Sequence, residues 1–203
     1  MKTTNNSIFQ NLLSKPVIFK TVIFSAILLG SVACSNNQKP QDTKEMAEDK
    51  NEAKFNDTKE KDAEFLVKVA EINLEEIQLG QLAQESATTA DAKDLGKMME
   101  QAHKQGQEKL IALATTKSIT VPMSPTDKGK DAYKELTSKT GKDFDKKYCE
   151  MMVDGHKKAI EMVEKASKDA NDADIRAFAT NLLPELNMHL EHAQQCKDKV
   201  DKM

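Results

Sequence analysis

The chain has 203 residues, 31% of them charged and only 4% aromatic, with no Trp, seven Gly and five Pro. Acidic side chains outnumber basic ones slightly, for a formal net charge of −3, and Arg176 is the single arginine, so bidentate phosphate recognition is poorly supplied and nucleic acid is not expected as a partner. Ala, Leu, Met, Glu, Lys and Gln dominate, which suits helices and argues against an all-β fold.

The N-terminus carries Lys2, Lys15 and Lys20 ahead of an apolar run from Thr21 to Gly30, followed by Ser31-Val32-Ala33-Cys34. A basic start, an apolar centre and small residues before a cut are the marks of an export signal. The apolar run is too short for an ordinary transmembrane helix. Val32-Ala33-Cys34 resembles a bacterial lipobox, with Ser31 in place of the usual Leu, so residues 1–33 are expected as a lipoprotein-type signal and Cys34 as the lipidated residue. The expected address is the cell envelope, as an outer-membrane lipoprotein facing the periplasm, with the membrane as partner through that anchor. Removal of residues 1–33 takes away three lysines and no acid, which leaves a mildly acidic body that does not suggest a surface clinging to anionic lipid. The stretch 34–61 is polar, of mixed charge and almost without large apolar residues, and reads as a disordered tether. The ordered domain is expected over 62–203.

Helix periodicity then takes over. The first long helix is expected from about Asp62, as N-cap, to Ser86, with Phe65, Val69, Ile72, Leu79 and Ala83 on one stripe and Glu76 within it. Thr88-Thr89-Ala90-Asp91 makes a capped turn. The second helix runs from about Asp91 to Thr116, with Leu95, Met99, Ala102, Gly106, Leu110 and Leu113 inward and His103 on the flank. Ser124-Pro125-Thr126-Asp127 starts a short helix to about Ser138 inside the long connection. The third long helix, about Lys142 to Ser167, turns Tyr148, Met152, Ala159, Val163 and Ala166 inward, with His156 one turn after Met152. The fourth, about Asp172 to Lys199, places Ile175, Phe178, Leu182, Leu186, His189, Ala193 and Cys196 on one face, and Pro184 is expected to kink it. The architecture is all-α: two antiparallel hairpins joined by a long connection containing a short helix, a four-helix bundle. The two halves share hairpin lengths but no convincing sequence repeat.

Residues equidistant from the turn of an antiparallel hairpin lie level. Glu76 and His103 are centred within the 88–91 turn, and His156 and His189 within the 171–174 turn. Both pairs lie about 20–25 Å from their turns, at 1.5 Å per residue. One polar group per helix at one depth of an apolar interior points to mutual satisfaction or to a ligand, because a buried carboxylate without partners is strongly disfavoured. Glu76, His103, His156 and His189 form a reasonable donor set for a divalent transition metal, Zn, Fe or Mn. Glu100 gives Glu-x-x-His spacing with His103, and Glu75, Asp154 and His192 are candidate outer partners. The same layer also reads as a metal-free hydrogen-bonded network that fixes helix register. Met98, Met99, Met151 and Met152 read as core filling. Cys149 and Cys196 share the centre of the His156–His189 pair, two turns further on. In an exported protein they are expected to face each other as a disulfide.

Several of these residues carry a resemblance. Asp62-Ala63-Glu64-Phe65-Leu66, Glu76-Ile77-Gln78-Leu79-Gly80-Gln81-Leu82-Ala83, Met98-Met99 with His103, Phe144-Asp145-Lys146-Lys147-Tyr148, Met152 with His156, and Leu183-Pro184 with His189-Leu190 together resemble the bacterial ferritin-like family known as domain of unknown function 4142. The resemblance implies exported or lipoprotein relatives and a ferritin-like bundle, but no established activity. Where that family often has Asp just before the histidines of the second and third long helices, this chain has Ala102 and Gly155, so a carboxylate-rich di-iron site is not expected. There is no Gly-rich phosphate loop and no nucleophile–base motif. The expectation is an envelope protein of uncharacterised activity that holds metal, to buffer it or for redox chemistry, and the alternative is a non-catalytic structural, stress-related or partner-binding module with its protein partner unnamed.

Overall fold

The computed structural model describes residues 40–203, so the signal segment, Cys34 and the start of the expected tether lie outside the described residues. Among the described residues all regular structure is helical: α1 (Thr43–Glu52), α2 (Asp57–Ser86), α3 (Ala90–Lys117), α4 (Asp127–Thr137), α5 (Gly141–Asp169) and α6 (Ala173–Asp201). The four long helices pair as α2 with α3 and α5 with α6. No helix among them is long and apolar enough to cross a membrane.

The expectation of a disordered tether to residue 61 is corrected. Residues 43–52 form α1, and α2 begins five residues earlier than expected, with Asn56 as its N-cap. What the sequence pattern hid is that α1 is fastened by polar contacts. The Asn51 side chain donates to the Thr120 carbonyl at 2.8 Å and accepts from the Thr120 N–H at 2.8 Å, as a peptide group would. Asp42 caps α1 and also accepts from the backbone of Asp127. Glu71, buried on α2, accepts from Lys44 of α1 at 3.2 Å and from the Thr126 hydroxyl at 3.0 Å. Thr126, rather than Ser124, is the N-cap of α4.

Asp62 does not begin a helix. It sits inside α2 and accepts from the N–H groups of Asn171 and Asp172, each at 2.8 Å, at the α5–α6 turn. Asp145 on α5 does the same for the α2–α3 turn, accepting from the Thr88 and Thr89 N–H groups at 2.9 and 2.8 Å and from the Thr88 hydroxyl at 2.7 Å. Each hairpin therefore satisfies the orphan donors of the other's turn. This also uncovers a short repeat that the overall pattern concealed: Asp62-x-x-Phe65 and Asp145-x-x-Tyr148 occupy matching places on the two hairpins.

At Gly80 and Gly96 the backbones of α2 and α3 meet. A Cβ at Gly80 would lie 2.6 Å from the Gly96 carbonyl oxygen, and one at Gly96 would lie 2.7 Å from that of Gly80. Helix α6 runs through Pro184 without a break. Cys149 and Cys196 meet at disulfide distance, with Cα atoms 6.0 Å apart, joining α5 to α6.

Buried apolar residues form two clusters rather than one. The first contains Phe65 to Ala70 of α2, Leu110 and Ala114 of α3, Ala159 to Ala166 of α5, and Ile175 to Leu186 of α6. The second contains Leu79 to Ala83 of α2, Leu95 and Met99 of α3, Phe144 to Val153 of α5, and Ala193 to Val200 of α6. The gap between them falls at residues 73–76, 103–107, 156 and 189. A polar layer divides the core at one height on all four long helices.

Candidate metal centre

Glu76, His103, His156 and His189 meet in this layer, each no more than 4% exposed. The ring centroids of the three histidines lie 5.2–5.6 Å apart, and one ligating atom from each falls within 4.8 Å of the others, a group that could hold a metal ion. Glu76 Oε2 is 2.9 Å from His103 Nε2, and Glu76 Oε1 is 3.5 Å from His156 Nδ1.

The hydrogen bonds fix the tautomers. His156 Nδ1 lies 2.9 Å from the Met152 carbonyl, which only accepts, so that nitrogen carries the proton. His156 Nε2 is then the acceptor for His189 Nδ1–H at 3.2 Å. That leaves His189 Nε2 without a proton, and this buried atom has no hydrogen-bond partner. His103 Nδ1 faces Asn73 Oδ1 at 2.9 Å, and Asn73 Nδ2 donates to Gln107 Oε1 at 3.2 Å. His103 Nδ1 therefore donates to Asn73, which turns Nε2 toward Glu76. His103 Nε2 and Glu76 Oε2 face each other at 2.9 Å as a buried ion-pair contact, off the line of a regular hydrogen bond.

Burial raises the pKa of Glu76, but His156, His103 and, less strongly, His189 outweigh it and bring it down to about 2, so the carboxylate is an anion. His189 is pushed down to about 3, chiefly by burial and further by His103 and His156, so it is neutral. His103 Nε2, His189 Nε2 and a Glu76 carboxylate oxygen thus lie in one buried layer. Such a set of N and O donors could hold a metal ion.

The outer partners expected from sequence lie elsewhere. Glu75 points away from Glu76 to Lys128 of α4, at 2.9 Å, and its pKa is raised, chiefly by burial. Glu100 accepts from Lys104, Gln84 and Gln81, which hold it down to about 2, and takes no part in the layer. Asp154 and His192 are exposed. The partners that do support the ligating rings, Asn73 with Gln107 and the Met152 carbonyl, were missed. One signal was available for Asn73, which stands one turn before Glu76 on the same face.

Gly155 and Ala102 add no carboxylate to the layer. A Cβ at Gly155 would meet Glu76 Oε1 at 3.4 Å, so the glycine leaves room beside the anion. No curated protein and no solved structure matches the chain. The family described as domain of unknown function (DUF4142) matches residues 45–196, well over half of the chain, and the chain belongs to that family.

Proposed function

We propose that this is a metal-binding protein of the cell envelope, with His103, His156, His189 and Glu76 holding one divalent transition metal in the core of a ferritin-like four-helix bundle. The observation that carries the reading is the convergence of His103 Nε2, His189 Nε2 and Glu76 Oε2 in a buried layer, each without a hydrogen-bond partner. A buried anion is costly beside a neutral His189 whose Nε2 has no partner, and a cation held among these donors offsets the cost. Met152, Asn73 and Gln107 hold the rings in place. With a single carboxylate among its donors, the layer suits storage or buffering of one ion better than two-metal oxidation chemistry. Lipidation at Cys34, after removal of residues 1–33, would tether the domain to the outer membrane on its periplasmic side.

A second reading has the layer only fix helix register in a non-catalytic structural or partner-binding module. The His103–Asn73–Gln107 relay favours it, because a proton on His103 Nε2 would also serve Glu76. Metal analysis of protein purified without chelator separates the two. The metal reading expects close to one equivalent in the wild type and little in His156→Ala. Substoichiometric metal in both, with melting unchanged by added Zn, Mn or Fe, would leave the register reading.

A further inference from the structure

The polar layer is not sealed equally on all sides. A small, mostly apolar cavity of about 30 Å³ lies against it and is lined by His103 and His189, whereas His156 and Glu76 do not reach it. A wider groove of about 410 Å³ runs along the outer face between α3 and α6, past Asp94, Lys97, Glu185 and Met188. Ala102, Glu185 and His189 line both, so groove and cavity meet at these three residues. Ala102 is the small residue on the α3 side of that junction. Glu185 stands one turn before His189 on the same face of α6. It is half-buried and makes no ion pair or side-chain hydrogen bond among the described residues. Asp94 and Lys97 on α3 carry opposite charges, so Glu185 sets the sign of the groove. Behind it stands His189, 1% exposed, with Nε2 unpartnered.

We infer that the α3–α6 groove is the route by which a divalent cation reaches the histidines, and that Glu185 captures the ion at its mouth and passes it to His189 and His103. The inference rests on the metal reading above and adds a residue and a direction to it. A cavity of about 30 Å³ has room for one or two water molecules, so a hydrated ion does not pass intact. A carboxylate at the junction replaces water ligands on the ion before the imidazoles take it, and its charge raises the local cation concentration.

Stopped-flow binding of Co²⁺ to the full chain, followed by the visible absorption of the bound ion, tests this. Glu185→Gln is expected to slow association by roughly threefold to tenfold and to weaken its salt dependence, with the final spectrum unchanged because the resident ligands are the same. Ala102→Leu, which narrows the junction, is expected to slow association and release together. Association at the wild-type rate and salt dependence in Glu185→Gln would overturn the route while leaving the metal site intact. A changed final spectrum would make Glu185 a resident ligand and overturn its role as a transient one. Failure of the wild type to bind Co²⁺ at all would remove the site and the route together.

Discussion

His103 and His189 each have one nitrogen committed to a neighbour and the other turned into the layer, whereas both nitrogens of His156 are engaged. His156 gives its Nδ1 proton to its own helix, and His103 gives its own to Asn73. Glu76 stands beside these rings as an anion. Replacing Glu76 by Gln keeps the shape and removes the charge. Affinity for Zn²⁺ is expected to fall by at least about 10–100-fold, the range seen when groups that merely orient ligands are changed. Competition titration against a chromogenic chelator reads it, and equal affinity in both proteins would mean that the carboxylate holds no cation. The four layer residues were legible because equal distance from a turn is a geometric property of a hairpin, readable without coordinates. The outer partners were not legible in the same way. Glu75 is next to Glu76 in sequence but about 100° away around the helix, which turns it to Lys128. Asp154, two residues before His156, is turned to solvent for the same reason. Asn73 and Gln107 read as ordinary polar side chains, since only their burial against each other gives them a role.

At the scale of the elements, the helices hold their positions through carboxylates that cap a neighbour's turn. Burial raises the pKa of Asp145, but the hydrogen bonds from Thr88 and Thr89 outweigh it, so the pKa lies below the ordinary value of 3.8. A depressed carboxylate contributes stability that is present above its unfolded pKa and lost as pH falls through its folded one. Asp145→Asn is therefore expected to lower stability at neutral pH by about 1–3 kcal/mol and to flatten the loss of stability below about pH 4. Urea unfolding at a series of pH values measures this, and parallel curves for the two proteins would show that the carboxylate charge does nothing at the turn. The long helices could be read from their apolar stripes to within a few residues. Helix α1 could not, because Ala47 and Asn51 are its only buried residues and polar pairs rather than an apolar stripe attach it. Asp62 was misplaced for a related reason: a carboxylate ahead of an apolar run looks like a cap for its own helix, and here it caps another.

Across the whole molecule, the polar layer splits the apolar core in two, and the Cys149–Cys196 pair ties α5 to α6 within the second half. The link spans 47 residues of sequence. Closing a loop of that length in the unfolded chain gives about 4 kcal/mol on chain-entropy grounds. Cys149→Ser with Cys196→Ser is expected to lower the denaturation midpoint by a corresponding amount without abolishing the helical spectrum. Two reactive thiols in the unreduced, unfolded wild type would show instead that the cysteines are not bonded. The paired hairpins and this link hold His156 and His189 at one height, and the close α2–α3 approach at Gly80 and Gly96 holds Glu76 beside His103. The most direct measurement is an anomalous-scattering crystal structure of protein grown with Zn²⁺. The expected result is one peak inside the core, about 2.0–2.2 Å from nitrogens of His103, His156 and His189 and from a Glu76 oxygen. Peaks confined to surface carboxylates or to His192, with the layer closed on its own hydrogen bonds, would contradict the metal centre.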